Sequence, residues 1–207
     1  MDTKKIIVSI TGASGAIYAF RLLKQLRDLG VEIHLIATPS GSLVFEQELN
    51  ISLGKDVEET KSILVNLLEC NTGQIQCYDS RNPGAKVASG SAKNDGMVII
   101  PCSMSMLAAI SNGLASDLTA RAASVMLKER RPLILVPRET PLNGIHIKNM
   151  MALHEAGAVI LPAMPGFYNE PKSIEDLADF VVGRVLDILH LEHETYRRWE
   201  GLDMHID

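Results

Sequence analysis

Aromatic residues are scarce in this 207-residue chain, 4% of the total with a single Trp, so each ring that is present calls for a reason. Positive charge is not in excess. Twenty Lys and Arg against 25 Asp and Glu leave a net charge of -5, which excludes a general nucleic-acid binder, because phosphate backbones are held by clustered cations. Any anion site must therefore be local. The cysteines, Cys70, Cys77 and Cys102, are odd in number and lack C-x-x-C spacing, so neither a disulfide framework nor a zinc site is indicated and no metal is expected. A reducing cytoplasm fits this usage. The chain opens with no charged-then-apolar leader, and no apolar run approaches the roughly 20 residues that span a bilayer, so no membrane span is expected. His190 and His193 can share a helix face, but with no acid or cysteine arranged around them they read as a solvated tail.

What is present is an α/β pattern. The run Lys5 to Thr11 is β-rich, breaks at Gly12-Ala13-Ser14-Gly15-Ala16, and reopens as an amphipathic helix from Ile17 to Leu29. The first amides of such a helix lack partners within it and its dipole favours negative charge, so a phosphate over Ala13 to Ala16 would be held by backbone, with Ser14 adding a hydroxyl. The alternative makes Ser14 an ordinary helix cap and the glycines tight-turn residues. The full dinucleotide fingerprint is missing: the glycines are not spaced G-x-G-x-x-G, and the next strand ends His34 to Pro39 without an acid. That points away from NAD and toward another phosphate-bearing ligand.

Further along, strands are predicted at Val31 to Thr38, Ile75 to Tyr78, Gly96 to Pro101, Leu133 to Val136 and Ala158 to Leu161. Helices are predicted at Leu43 to Asn50, Val57 to Cys70, Asp117 to Arg130, Ile145 to Ala156 and Ser173 to Leu189, with a further one running through Ile110 after the exit Cys102-Ser103-Met104-Ser105-Met106. Residues 79–95 form a polar loop rich in turn formers. The expected architecture is a single α/β domain over 1–207, a doubly wound, mostly parallel sheet with helices on both faces, Rossmann-like or flavodoxin-like, with 190–207 a tail positioned to cover the site. Ligand contacts are expected at strand exits: Cys102-Ser103-Met104-Ser105-Met106, and Pro137-Arg138-Glu139-Thr140-Pro141. Arg121 and Lys128, seven residues apart, project from nearly one helix face, either as a phosphate clamp or as a solvated basic face. Arg184, among apolar neighbours on its helix, either snorkels from an edge or points into a pocket.

Taken together, Thr11 to Ala16, Ala88-Ser89-Gly90-Ser91, Pro101-Cys102-Ser103, Leu127 to Leu133, Pro137 to Pro141 and Pro165-Gly166-Phe167-Tyr168, in this order, resemble the UbiX/Pad1 family of flavin prenyltransferases, once described as aromatic acid decarboxylases. The resemblance implies joining the dimethylallyl group of dimethylallyl phosphate to N5 and C6 of reduced FMN, with phosphate released and no metal required. It implies FMN contacts from Gly12, Ala13, Ser14, Thr38, Ser103, Met104, Ser105, Met106 and Arg138, and prenyl phosphate contacts from Tyr168 and Arg184 with Lys128, Arg121 and Glu139 around them; Ser89, Gly90 and Trp199 complete the expected substrate site. Thr38 stands where the family often has Ser, and Met106 where Thr is frequent. Glu139 is the candidate for proton transfer and Ser14 for a hydrogen bond near flavin N5, with Lys128, Tyr168 and Arg184 as further catalytic candidates. The implied assembly is a homo-oligomer, a dodecamer with pockets shared between subunits, and the implied recipient of prenylated FMN is a UbiD-type decarboxylase. The rival readings are a non-catalytic FMN-binding accessory subunit and an FMN-dependent cysteine decarboxylase.

Overall fold

A computed structural model describes residues 3–198 and 201. In these residues strands and helices alternate as β1 (Lys5–Ile10), α1 (Ala16–Asp28), β2 (Glu32–Ala37), α2 (Pro39–Leu49), α3 (Val57–Leu68), β3 (Ile75–Asp79), β4 (Gly96–Cys102), α4 (Met104–Ser111), α5 (Leu118–Lys128), β5 (Leu133–Pro137), α6 (Gly144–Glu155), β6 (Val159–Ile160) and α7 (Ile174–Ile188). The strands form one sheet in the order β3-β2-β1-β4-β5-β6, every pair parallel. The order reverses between β1 and β4, so their carboxyl ends border the crevice where open α/β sheets bind ligands.

Two apolar layers cover the sheet. Ile6, Val8 and Ile10 of β1 pack with Leu22, Leu26, Leu64 and Leu186, from α1, α3 and α7. Ile7, facing the other way, joins Leu107, Val125 and Leu153 of α4, α5 and α6. Burial on both faces makes β4 apolar along its length, every residue of it buried.

Helix starts follow local capping. Pro39-Ser40-Gly41, ahead of the helix predicted from Leu43, is the first turn of α2, because the Thr38 hydroxyl accepts from the Gly41 amide at 3.0 Å and proline is preset for a first helical position. Asp117 caps α5, and Ser173 with Asp176 forms a capping box at the start of α7. Residues 79–95 are less open than a polar loop should be: a 3-10 turn spans Lys86–Ala88, and Ala85, Val87, Ala88 and Ala92 are buried.

Candidate functional site at the strand exits

At the reversal of strand order, β1 and β4 are clamped by one side chain. Thr11, 1% exposed, donates from its hydroxyl to the Pro101 carbonyl at 2.7 Å, and that same hydroxyl accepts from the Ser103 amide at 2.8 Å. The clamp holds the Gly12 to Ser14 turn beside the start of α4. Gly12 is required there, since a Cβ would come within 2.5 Å of Ser40 Cβ on α2.

The α1 N-terminus departs from expectation. Its cap is Gly15, at φ 112°, rather than Ser14, and Glu48 from the end of α2 takes the first amides: Oε2 accepts from Gly15 at 2.9 Å and from Ala16 at 2.8 Å. The anion expected over these amides is therefore supplied by the chain itself. Burial acts to raise the Glu48 pKa, but hydrogen bonds from the Ser14 hydroxyl and the two amides, with the nearby Arg138 charge, carry it below its ordinary value. Ser14 thus gives its proton toward Glu48 and keeps oxygen lone pairs for a ligand. Arg138, leaving β5, donates from Nε to the Ser14 carbonyl at 3.1 Å and joins this group. Tyr18 lies on the same turn, its pKa raised by burial and opposed by Arg138.

The α4 turn offers only part of what was expected. Ser103 caps the helix, accepting from the Met106 amide at 3.2 Å, and lies 3.1 Å from the Ser105 hydroxyl. Met104 and Met106 point into the core, 8% and 9% exposed, so their side chains do not face the crevice. Thr38 is likewise occupied, bonded to the Gly41 amide and the Ile10 carbonyl. Glu139, half-buried at the exit of β5, accepts from the Thr140 amide at 3.0 Å.

The remaining candidates stand elsewhere on the subunit. Tyr168 meets Phe180 edge-on at 5.7 Å and Phe180 meets Tyr196 at 5.2 Å. Arg184 lies beyond them, about 15 Å down α7 from its start at 1.5 Å per residue. It does not simply snorkel: Nη1 bonds Asp187 at 2.9 Å and Tyr196 at 3.1 Å. His193, expected in a solvated tail, has a side chain only 1% exposed. Lys128, Ser89 and Gly90 sit at the opposite, amino end of the sheet. There Arg131, two residues before β5, donates to the Gly90 carbonyl at 2.9 Å, and Lys128 pairs with Glu129. Lys128 lines a hollow of about 820 Å³ with Arg130, Arg131, Pro132 and Gly157, and Arg121 is exposed farther up the same helix. Trp199 lies outside the described residues. Among the described residues no group of three or more His, Cys, Asp or Glu stands together to hold a metal ion, and no helix is long and apolar enough to cross a membrane.

A family model described as Flavoprotein matches residues 1–186. The flavin prenyltransferase UbiX of Halalkalibacterium halodurans is 47% identical over 96% of this chain and 95% of its own. The chain belongs to the UbiX family. Its fold agrees: the crystal structure of AnUbiX (PadA1) in complex with FMN and dimethylallyl pyrophosphate superposes with a TM-score of 0.87 at 40% identity, covering 98% of this chain and all of that one. A dodecameric FMN-dependent UbiX-like decarboxylase from Escherichia coli O157:H7 superposes at 0.84 and 41% identity, covering 95% and 100%. For a UbiX-family chain, sequence reasoning missed Thr11, Glu48, Tyr18 and Asp187. Thr11 ends the first strand run and opens the first motif of the resemblance without a contact role of its own there, and Glu48, 33 residues from Gly15, leaves no linear signal.

Proposed function

We infer that the chain is a flavin prenyltransferase, transferring the dimethylallyl group of dimethylallyl phosphate to N5 and C6 of reduced FMN and releasing phosphate. The observation that carries it is the grouping at the strand exits of a hydroxyl committed to a carboxylate, Ser14 on Glu48, with the Arg138 cation and the Glu139 acid following from β5. The exposed Ser14, the Ser103 and Ser105 hydroxyls and Arg138 suit the polar edge and phosphate of FMN. When bound, reduced FMN supplies the nucleophilic nitrogen and carbon.

This chain's residues supply binding and proton handling. Ser14 offers an oxygen lone pair to a ligand N–H and passes a proton toward Glu48. Glu139 delivers a proton to the leaving phosphate or at ring closure. Negative charge grows on phosphate as the allylic C–O bond breaks, and Arg184 and Lys128, with Arg121 nearby, stabilise it. Tyr168, and Trp199 by resemblance, offer π faces to the positive allyl carbon. Within one subunit the strand exits and the Lys128 corner lie at opposite ends of the sheet. That separation, with the dodecameric relative, supports pockets completed by neighbouring subunits of a homo-dodecamer. Free Cys70, Cys77 and Cys102 suit a reducing cytoplasm, and the product goes to a UbiD-type decarboxylase. A carrier of flavin needs no acid such as Glu139 beside the site, and the helix after Thr38 has no His of the kind cysteine decarboxylases use.

The test is anaerobic incubation of the protein with reduced FMN and dimethylallyl phosphate, then mass spectrometry of the released flavin. A flavin heavier by one five-carbon unit, with free phosphate, is expected. Unmodified FMN with both the monophosphate and the diphosphate donor would overturn the reading.

A further inference from the structure

Asp187 on α7 gathers donors from its own helix and from the chain after it. Arg184 Nη1 and Tyr196 Oη donate to Oδ2 at 2.9 and 2.7 Å, while Arg198 Nη2 and His193 Nε2 reach Oδ1 at 2.8 and 3.2 Å. His193 Nδ1 accepts from the Thr195 amide at 3.2 Å, which leaves the ring proton on Nε2, facing Asp187. Burial works to raise the Asp187 pKa, but the bonds from Tyr196, Arg198 and His193 outweigh it and bring it to about 2.

An exposed Arg and Asp three residues apart on a helix are ordinarily a weak surface pair. This pair has a built surround. Gly183 is buried beneath the returning chain, where a Cβ would overlap Thr195 Oγ1 and the Tyr196 ring, so α7 carries a notch that seats the segment 193–198. The Tyr196 ring, held there, packs on Phe180, and Phe180 in turn holds Tyr168. Arg184 commits Nη1 to Asp187 and Tyr196, while its Nε and Nη2 make no hydrogen bond among the described residues. A long cation is thereby fixed in advance with donors left over, which reduces the entropy lost when an anion binds.

We propose that Asp187 and the segment 193–198, seated at Gly183, are a positioning device that holds Arg184 for the phosphate of the prenyl donor. Asp187 acts through Arg184 and is a positioning residue. The inference rests on the prenyltransferase reading above.

The test compares wild type, the isosteric D187N, G183A, which disturbs the seat without changing charge, R184A, and R184A combined with D187N, all as full chains. Expected for D187N is a KM for dimethylallyl phosphate raised about tenfold, a smaller change in kcat, FMN affinity within twofold of wild type, and faster tryptic cleavage at Arg197 and Arg198. G183A should raise the same KM, and D187N should add less than twofold once Arg184 is Ala. A D187N or G183A KM within twofold of wild type, or losses that multiply in the double variant, would overturn the proposal while leaving the transferase intact. A wild type that binds FMN and transfers no prenyl group would overturn both.

Discussion

The strand exits and the flank of α7 hold their polar side chains by different means. At the exits, main chain does most of the holding: Thr11 grips the Pro101 carbonyl and Ser103 amide, Glu48 sits on two helix amides, and Arg138 on the Ser14 carbonyl. On α7 side chains hold one another, with Arg184, His193, Tyr196 and Arg198 around one partly exposed carboxylate. Backbone groups are positioned by the sheet and keep their geometry with the fold. A side-chain network outside the sheet is ordered only while its own members remain in place. This difference suits the two jobs proposed: a permanent flavin crevice, and a phosphate contact whose order depends on a returning segment.

The sharpest way to separate binding from chemistry at the exits is Glu139→Gln. FMN affinity should persist while single-turnover prenyl transfer, read anaerobically by mass spectrometry, falls about 100-fold or more; an undiminished rate removes Glu139 from proton transfer. Next in size is Thr11→Val, which leaves the part-buried Ser103 amide without its acceptor and the Pro101 carbonyl without its hydroxyl donor. A loss of about 1–3 kcal/mol is expected, seen as a lower urea midpoint at constant slope. A midpoint equal to wild type would mean the crevice is not held by that hydroxyl.

The smallest effect is confined to the α7 flank. Asp187 has its folded pKa lowered from 3.8 to about 2, so its contribution is fully present above about pH 4 and is lost as pH falls through about 2. Fluorescence of the single Trp199, next to Arg198 in sequence, should change in that acid window before the sheet unfolds, as followed by circular dichroism. A change only at global unfolding would show that the carboxylate does not hold the segment.

Much of the crevice at the strand exits, proposed above to hold flavin, was legible in the linear pattern, because strand, turn and helix leave local marks there. Gly12 and Gly15 mark the first exit, Ser103 the second, and Arg138-Glu139 between prolines the third. Local marks also misled. Ser14 looked like the cap of α1, yet Gly15 takes that place and Glu48 fills the amides from another helix. Met104 and Met106 follow the strand exit in sequence, yet packing buries both side chains, while Ser105 is exposed and Ser103 half-buried at the cap. His193 looked solvated because nothing near it in sequence predicts the Gly183 notch.

The sequence by itself determined the alternation of strands and helices, the parallel sheet and the exits where ligands belong, since hydrophobic period, caps and turns are properties of neighbouring residues. Only the tertiary structure decided that Glu48 closes the α1 N-terminus, that Thr11 ties β1 to β4, and that Arg184 rests on Asp187. It also decided that Lys128 lies at the sheet's far end from Arg138. These are contacts or separations set by how elements pack in space, and no local period or spacing encodes them.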